Sequence, residues 1–172
     1  MVFINYITLV TSMCVSRYKT MYVTQETKIA ACIIKLFDDF RVLDSLLINS
    51  LLFICDLYAY KQRGITITGC DYYKLDYGPY IKEIKNIREN LFNCDILEKT
   101  GNCYTIKKFN TEYCDKLLDV EEKKYISYVA KIFCKEDYND IIEFILDHNP
   151  WRSLTWGAKL EFADNDFKCF TP

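Results

Sequence analysis

The sequence predicts an α+β fold, mainly α-helical, with a small antiparallel sheet or hairpin inserted into a helical core. Three observations carry that prediction. Apolar residues recur at helical spacing in several long stretches, from Ile29 to Phe40, Leu43 to Tyr58, Ile81 to Phe92 and Tyr125 to Leu146. Between them lie short runs of β-branched and aromatic residues broken by glycine. Hydrophobic residues make up 51% of 172 positions, enough to bury a core without disulfide staples.

The first helix starts after Thr24, whose hydroxyl can cap it, with Glu26 in the first turn and Ile29, Ile33, Leu36, Phe37 and Phe40 recurring along it. A second helix is expected from Asp44 to about Arg63. Its stripe of Leu47, Leu51, Ile54 and Tyr58 is widened by Leu43, Leu46 and Cys55, which places this helix at the centre of the fold. Gly64 should end it, since a left-handed residue costs glycine least. Ile65 to Thr68 then favours a strand broken by Gly69, and Tyr72, Tyr73, Leu75 and Tyr77 form a second extended stretch. Gly78 and Pro79 close it, with Pro79 placed to open a helix that buries Ile81, Ile84, Ile87, Leu91 and Phe92. Ile96-Leu97-Glu98 and Cys103-Tyr104-Thr105-Ile106 flank a turn at Thr100-Gly101-Asn102, which predicts a hairpin. Val120 to Phe133 is read as a helix with Tyr125, Val129, Ile132 and Phe133 inward. Tyr138 to Asp147 is another, with Ile141, Ile142, Ile145 and Leu146 inward and Pro150 placed to stop it. The aromatic remainder is expected to be a packed tail with a short helix.

Composition removes several function classes. Lys and Arg total 22 against 24 acids, a formal charge of −2, so sequence-independent nucleic-acid binding is a poor fit. Nine cysteines form no close pair of the kind that opens a zinc site, and their odd number argues against a disulfide framework. They read as reduced thiols in a cytoplasmic protein, with no metal and no cofactor. No Gly-rich phosphate loop, HExxH or GxSxG motif is present. The apolar start, MVFINYITLV, has no basic residue before it and is too short to span a membrane. Residues 1–24 are therefore read as an N-terminal extension or a mis-set start, 25–156 as the domain and 157–172 as a C-terminal tail.

One segment carries a denser pattern. In LLFICDLYAYKQRGITITGCDYYKLDYGP, Phe53, Asp56, Leu57 and Tyr58 precede Gly64, Thr68, Gly69, Tyr72, Tyr77, Gly78 and Pro79. The hairpin DILEKTGNCYTI follows, and DHNPW later supplies His148, Pro150 and Trp151. Taken in order, these resemble the Panacea domain family, SocA-like and antitoxin-associated, whose pattern is a YxADLY helix, a G-x-x-[IL]-T-G-x-x-Y-x-x-x-x-Y-G-P stretch and a late H…PaW. The likeness covers about Glu26 to Trp156. Cys55 stands where the family usually has Ala, and Ala59-Tyr60 where His or Trp often follows. The resemblance implies a non-enzymatic antitoxin that neutralises a cognate toxin by direct contact. It also implies a phage-associated setting and, in an adaptor role, a protease that receives the toxin.

Each motif residue also has a bland reading. Asp56 lies on a helix that is otherwise apolar, so it should either cap backbone N–H groups near Gly69 or Tyr77-Gly78, or read charge on a partner; catalysis is the weakest option. His148, the only histidine, sits at a helix C-terminus and suits a capping or core-linking role. Gly64, Gly69, Gly78, Pro79, His148, Pro150 and Trp151 are expected to serve the fold. Alternation cannot bury all of Tyr72, Tyr73, Tyr77 and Tyr80, so with Asp56, Tyr58 and Thr68 they form the candidate partner-binding set. Two other readings stay open. One is a winged-helix-like regulator with Lys82, Lys85 and Arg88 on an exposed recognition helix and Lys99, Lys107 and Lys108 on a wing. The other is a phage or viral counter-defence protein binding a host factor.

Overall fold

The computed structural model describes residues 23–107, 111–147 and 149–162. Helix α1 spans Gln25–Leu36 and is capped by Thr24, whose hydroxyl accepts from the Thr27 N–H at 3.2 Å. Helix α2, Ser45–Arg63, is capped by Asp44, which accepts from the Leu47 N–H at 2.7 Å. Gly64 ends it at φ +72°, its N–H donating to the Tyr60 carbonyl at 2.7 Å. Eleven residues of α2 are buried, from Ile48 through Ala59, because the helix is covered by α1, by α5 (Val120–Phe133), by α6 (Tyr138–Leu146) and by a strand. It is the central rod that its wide apolar face predicts.

Two small sheets sit beside the helices. β1 (Leu43–Asp44), β4 (Leu97–Thr100) and β5 (Cys103–Ile106) form an antiparallel sheet in the order β1-β5-β4, Leu97 facing Ile106 and Thr100 facing Cys103. The expected hairpin is therefore present, with Gly101-Asn102 at its turn, and it gains a short third strand from the residues before α2. β2 (Tyr73–Leu75) and β3 (Gly78–Tyr80) form a second ribbon, with Tyr73 opposite Tyr80. α3 (Ile84–Asn93) lies between the two sheets in sequence. The fold is α+β and mainly helical.

Several local expectations are corrected. Ile65 to Thr68 forms no strand; its backbone N–H groups turn inward to a carboxylate instead of to a neighbouring strand. Pro79 lies inside β3, and the next helix begins only at Ile84. Phe92 and Leu146 are 48% and 41% exposed, each turned about 100° around its helix from a buried neighbour, Leu91 and Ile145. Arg88, expected on an exposed face, is buried. Thr111–Leu117 forms α4, a seven-residue helix where no element was expected, and it packs on α1. Pro150 lies within a new short helix, α7 (Asn149–Ser153), that follows α6. His148 and Lys108 lie outside the described residues.

Candidate functional site

The residues of the dense motif converge on α2. Phe53 presents its ring edge-on to Tyr72 at 5.2 Å and to Trp151 at 5.7 Å, and stacks on Phe162 at 6.0 Å. Such pairs add roughly 0.5–1.5 kcal/mol each beyond the area they bury. The early, middle and late parts of the sequence pattern therefore meet in one aromatic cluster.

One turn further along α2 stands Asp56, fully buried. Its Oδ1 accepts from the N–H groups of Ile67 at 2.7 Å and Thr68 at 2.9 Å. Its Oδ2 accepts from the hydroxyls of Thr68 and of Tyr72, the latter at 2.7 Å. Cys70 lies beside the same oxygen at 3.9 Å, and its N–H donates to the Thr68 hydroxyl at 3.1 Å. Burial pushes the Asp56 carboxyl up, while the hydrogen bonds from Thr68, Tyr72 and Ile67 pull the other way. Burial beside this carboxylate also raises Cys70 to about 12, so its thiol stays protonated and unreactive at neutral pH. The carboxylate is thus solvated by the loop it organises. Its donors come from residues 67–72, which flank Gly69, and none comes from Tyr77-Gly78.

This node anchors the ribbon. Tyr72 delivers its hydroxyl to Asp56 and the next residue opens β2. Gly78 lets β3 approach the helices, since at φ +112° an added Cβ would stand 2.9 Å from Ile142 Cδ1 and 3.6 Å from Ser50 Oγ. Tyr138 donates its hydroxyl to the Tyr77 carbonyl at 2.5 Å, fixing the turn from the side of α6. A third chain joins from the far end of the domain. Lys74 N–H donates to Ala158 at 3.0 Å, Gly157 N–H to Lys74 at 2.7 Å and Leu160 N–H to Tyr72 at 2.7 Å. Lys74 also caps the end of α7, its ammonium donating to the carbonyls of Trp151 at 2.7 Å and Leu154 at 2.9 Å.

What the ribbon shows to solvent is aromatic. Tyr77 at its turn is 60% exposed, Tyr80 36%, and Trp156, carried by the third chain, 69%. Tyr73 is half-buried under the Lys82 ammonium, 3.9 Å above its ring. Asp56, Thr68 and Tyr72 lie inside, beneath the ribbon's surface and not on it. Tyr58 is half-buried away from the ribbon, stacked on Tyr128 at 4.8 Å and edge-on to Tyr125 at 5.5 Å. The candidate set therefore divides: Tyr73, Tyr77 and Tyr80 share the ribbon, Asp56, Thr68 and Tyr72 support it, and Tyr58 belongs to the packing of α2 on α5. Trp156 was missed. Only its register beside β2, a pairing across most of the domain, brings it there.

The basic set expected of a recognition helix and wing is otherwise engaged. Arg88 is buried, Lys82 covers Tyr73, Lys107 pairs with Asp95 at 2.5 Å, and Lys85 lies 4.0 Å from Glu89. Lys99 sits 5.8 Å from the Tyr104 ring. Among the described residues no three His, Cys, Asp or Glu side chains converge as a metal ion needs, and no helix is long and apolar enough to cross a membrane.

No curated protein and no solved structure matches the chain. The profile of one family does, over residues 48–152, from the first core turns of α2 to the end of the Trp151 helix, which is more than half of the sequence and contains the whole Asp56 node. The chain belongs to the antitoxin SocA-like, Panacea domain family.

Proposed function

We propose that the chain is a non-enzymatic antitoxin that neutralises a cognate toxin by direct protein–protein contact, using the aromatic face of the β2–β3 ribbon. The observation that carries this reading is the way the ribbon is held. Tyr77 and Tyr80 are exposed on a backbone fixed from behind by Asp56 and from the side by Tyr138. Exposed aromatics with little freedom left to lose make efficient binding anchors. The tyrosine hydroxyls stay usable at the rim while the rings supply contact area. An interface of about 800 Å² per partner suffices for tight, stoichiometric occlusion, which needs neither metal nor cofactor.

Family membership supports an antitoxin-type role and a toxin partner in general terms. The test is co-expression. A reading frame adjacent to this gene should be toxic alone and tolerated when this chain is made with it. Tyr77→Ala combined with Tyr80→Ala should restore the toxicity while leaving the melting temperature of this chain unchanged. Continued toxicity with the wild-type chain, for every adjacent frame that is toxic alone, overturns the reading.

A further inference from the structure

The third buried charge of the domain is Arg88, on α3. Its side chain is 8% exposed, yet no carboxylate lies within 4.0 Å of it among the described residues. Its Nε donates to the Ile84 carbonyl at 3.3 Å and its Nη1 to the Ser45 hydroxyl, and its guanidinium lies 5.2 Å from the centre of the Tyr104 ring. Every one of these partners is neutral. Asp44 and Glu89 are near enough to be felt, but Asp44 is committed to the Leu47 N–H and Glu89 faces Lys85. Among the described residues Nη2 has no acceptor, and it is not one of the fully buried unpaired atoms. Burial lowers the guanidinium's affinity for its proton, the mark of a cation short of counter-charge.

Arg88 lies close to partly exposed side chains. Tyr80, 36% exposed, is close enough to act on Arg88, and Leu46, 40% exposed, follows Ser45 in the first turn of α2. Arginine and tyrosine are both enriched among interface hot spots. Buried cations are costly when unpaired, and the N–H groups of a guanidinium nitrogen left without an acceptor attract a carboxylate oxygen through charge-assisted hydrogen bonds. We propose that Arg88 receives a carboxylate side chain of the protein partner, entering beside Tyr80 and bonded at Nη2. This site rests on the reading of the ribbon as a partner-binding face, since Tyr80 belongs to both.

The probe is acetate. Full-length ¹⁵N-labelled chain is titrated with sodium acetate, and separately with sodium chloride at matched ionic strength, following the Arg88 Nε–Hε signal and the Ser45 and Tyr80 amides. A saturable shift is expected at these groups with acetate alone, half-complete at roughly 10 mM, as suits a four-atom ligand. Arg88→Met should abolish it, and Arg88→Lys should weaken it at least about tenfold because one ammonium cannot replace three nitrogens that bond Ile84, Ser45 and the acetate at once. Equal shifts with chloride, or shifts that survive in Arg88→Met, overturn the site; if Arg88→Met does not fold, the acetate–chloride comparison on the wild type decides. Rescue of a toxic neighbour by a chain that ignores acetate removes the Arg88 site and leaves the antitoxin reading. An acetate response without any rescue does the reverse.

Discussion

Asp56 and Glu122 are both buried carboxylates, and they are satisfied in opposite ways. Asp56 meets no cation; two backbone N–H groups and two hydroxyls surround it, all supplied by residues 67–72. Glu122, in the first turn of α5, meets two cations from distant parts of the chain: Lys28 of α1 at 2.6 Å and Arg63 of α2 at 2.8 Å. Its other oxygen accepts from the Asp119 N–H at 3.0 Å, closing a capping box. The first arrangement shapes a loop, and the second clamps three helices. The difference also predicts how each fails. Donors around Asp56 are buried away from water, whereas Lys28 and Arg63 are about a fifth exposed and can turn to it.

The largest loss should follow Asp56→Asn. The amide would face its own N–H₂ toward donors that include two buried backbone N–H groups, at a cost of about 3 kcal/mol or more. Urea unfolding should show a lower midpoint with an unchanged slope. A cost near that of Glu122→Gln would mean that the two sites do not differ as described. Gly78→Ala tests the same ribbon without touching a charge. Both the left-handed φ and the close Ile142 contact oppose it, and about 2 kcal/mol should be lost. Glu122→Gln should cost less, about 1.5 kcal/mol, lowering the melting temperature by roughly 3–6 °C. That loss should shrink in high salt, because the pairs it weakens are partly screened.

Acidity separates the two regions further. The folded Asp56 carboxyl takes up its proton at a higher pH than it would in the unfolded chain. In the window just above the ordinary Asp value, near 4, the native state binds the extra proton, so this group's contribution grows as pH falls. Asp119, beside Glu122, is held low chiefly by the Glu122 N–H, so its contribution is present at neutral pH and lost as pH drops below the usual carboxylate range. The wild type's advantage over Asp56→Asn, measured by melting temperature between pH 7 and 4.5, should therefore widen on acidification. An advantage that narrows would contradict the raised Asp56. The smallest change in stability belongs to Tyr77→Ala, within about 0.5 kcal/mol, because the ring packs on little. Its effect should fall on partner binding instead.

The parts that were legible in the sequence are those decided within a few residues. Thr24, Asp44 and Gly64 mark the ends of α1 and α2 through bonds that span four residues or fewer, and the hairpin turn at Gly101-Asn102 is equally local. The core of α2 was legible because its apolar face is wide. Ile65 to Thr68 misled because β-branched residues favour extended backbone, whereas here the backbone bends so that two successive N–H groups meet one carboxylate oxygen. Pro79 was read as a helix start, yet it takes part in β3 opposite Lys74. Arg88 has no local signal at all; its burial depends on Ser45, forty-three positions away, and on the Tyr104 ring. Asp56 was recognisable as an acid in need of partners, but which donors would serve it depended on a loop conformation that no period encodes.

The third chain of the ribbon has a consequence for timing. Tyr72 and Leu160 are joined by a backbone hydrogen bond, and Phe53 waits for Trp151 to complete its cluster. At typical synthesis rates, the stretch between Tyr72 and Leu160 takes on the order of ten seconds to emerge from the ribosome. Until then β2 has only β3 beside it, and an isolated two-stranded ribbon is marginal in water. The nascent protein thus carries its aromatic ribbon in sequence long before it carries it in shape.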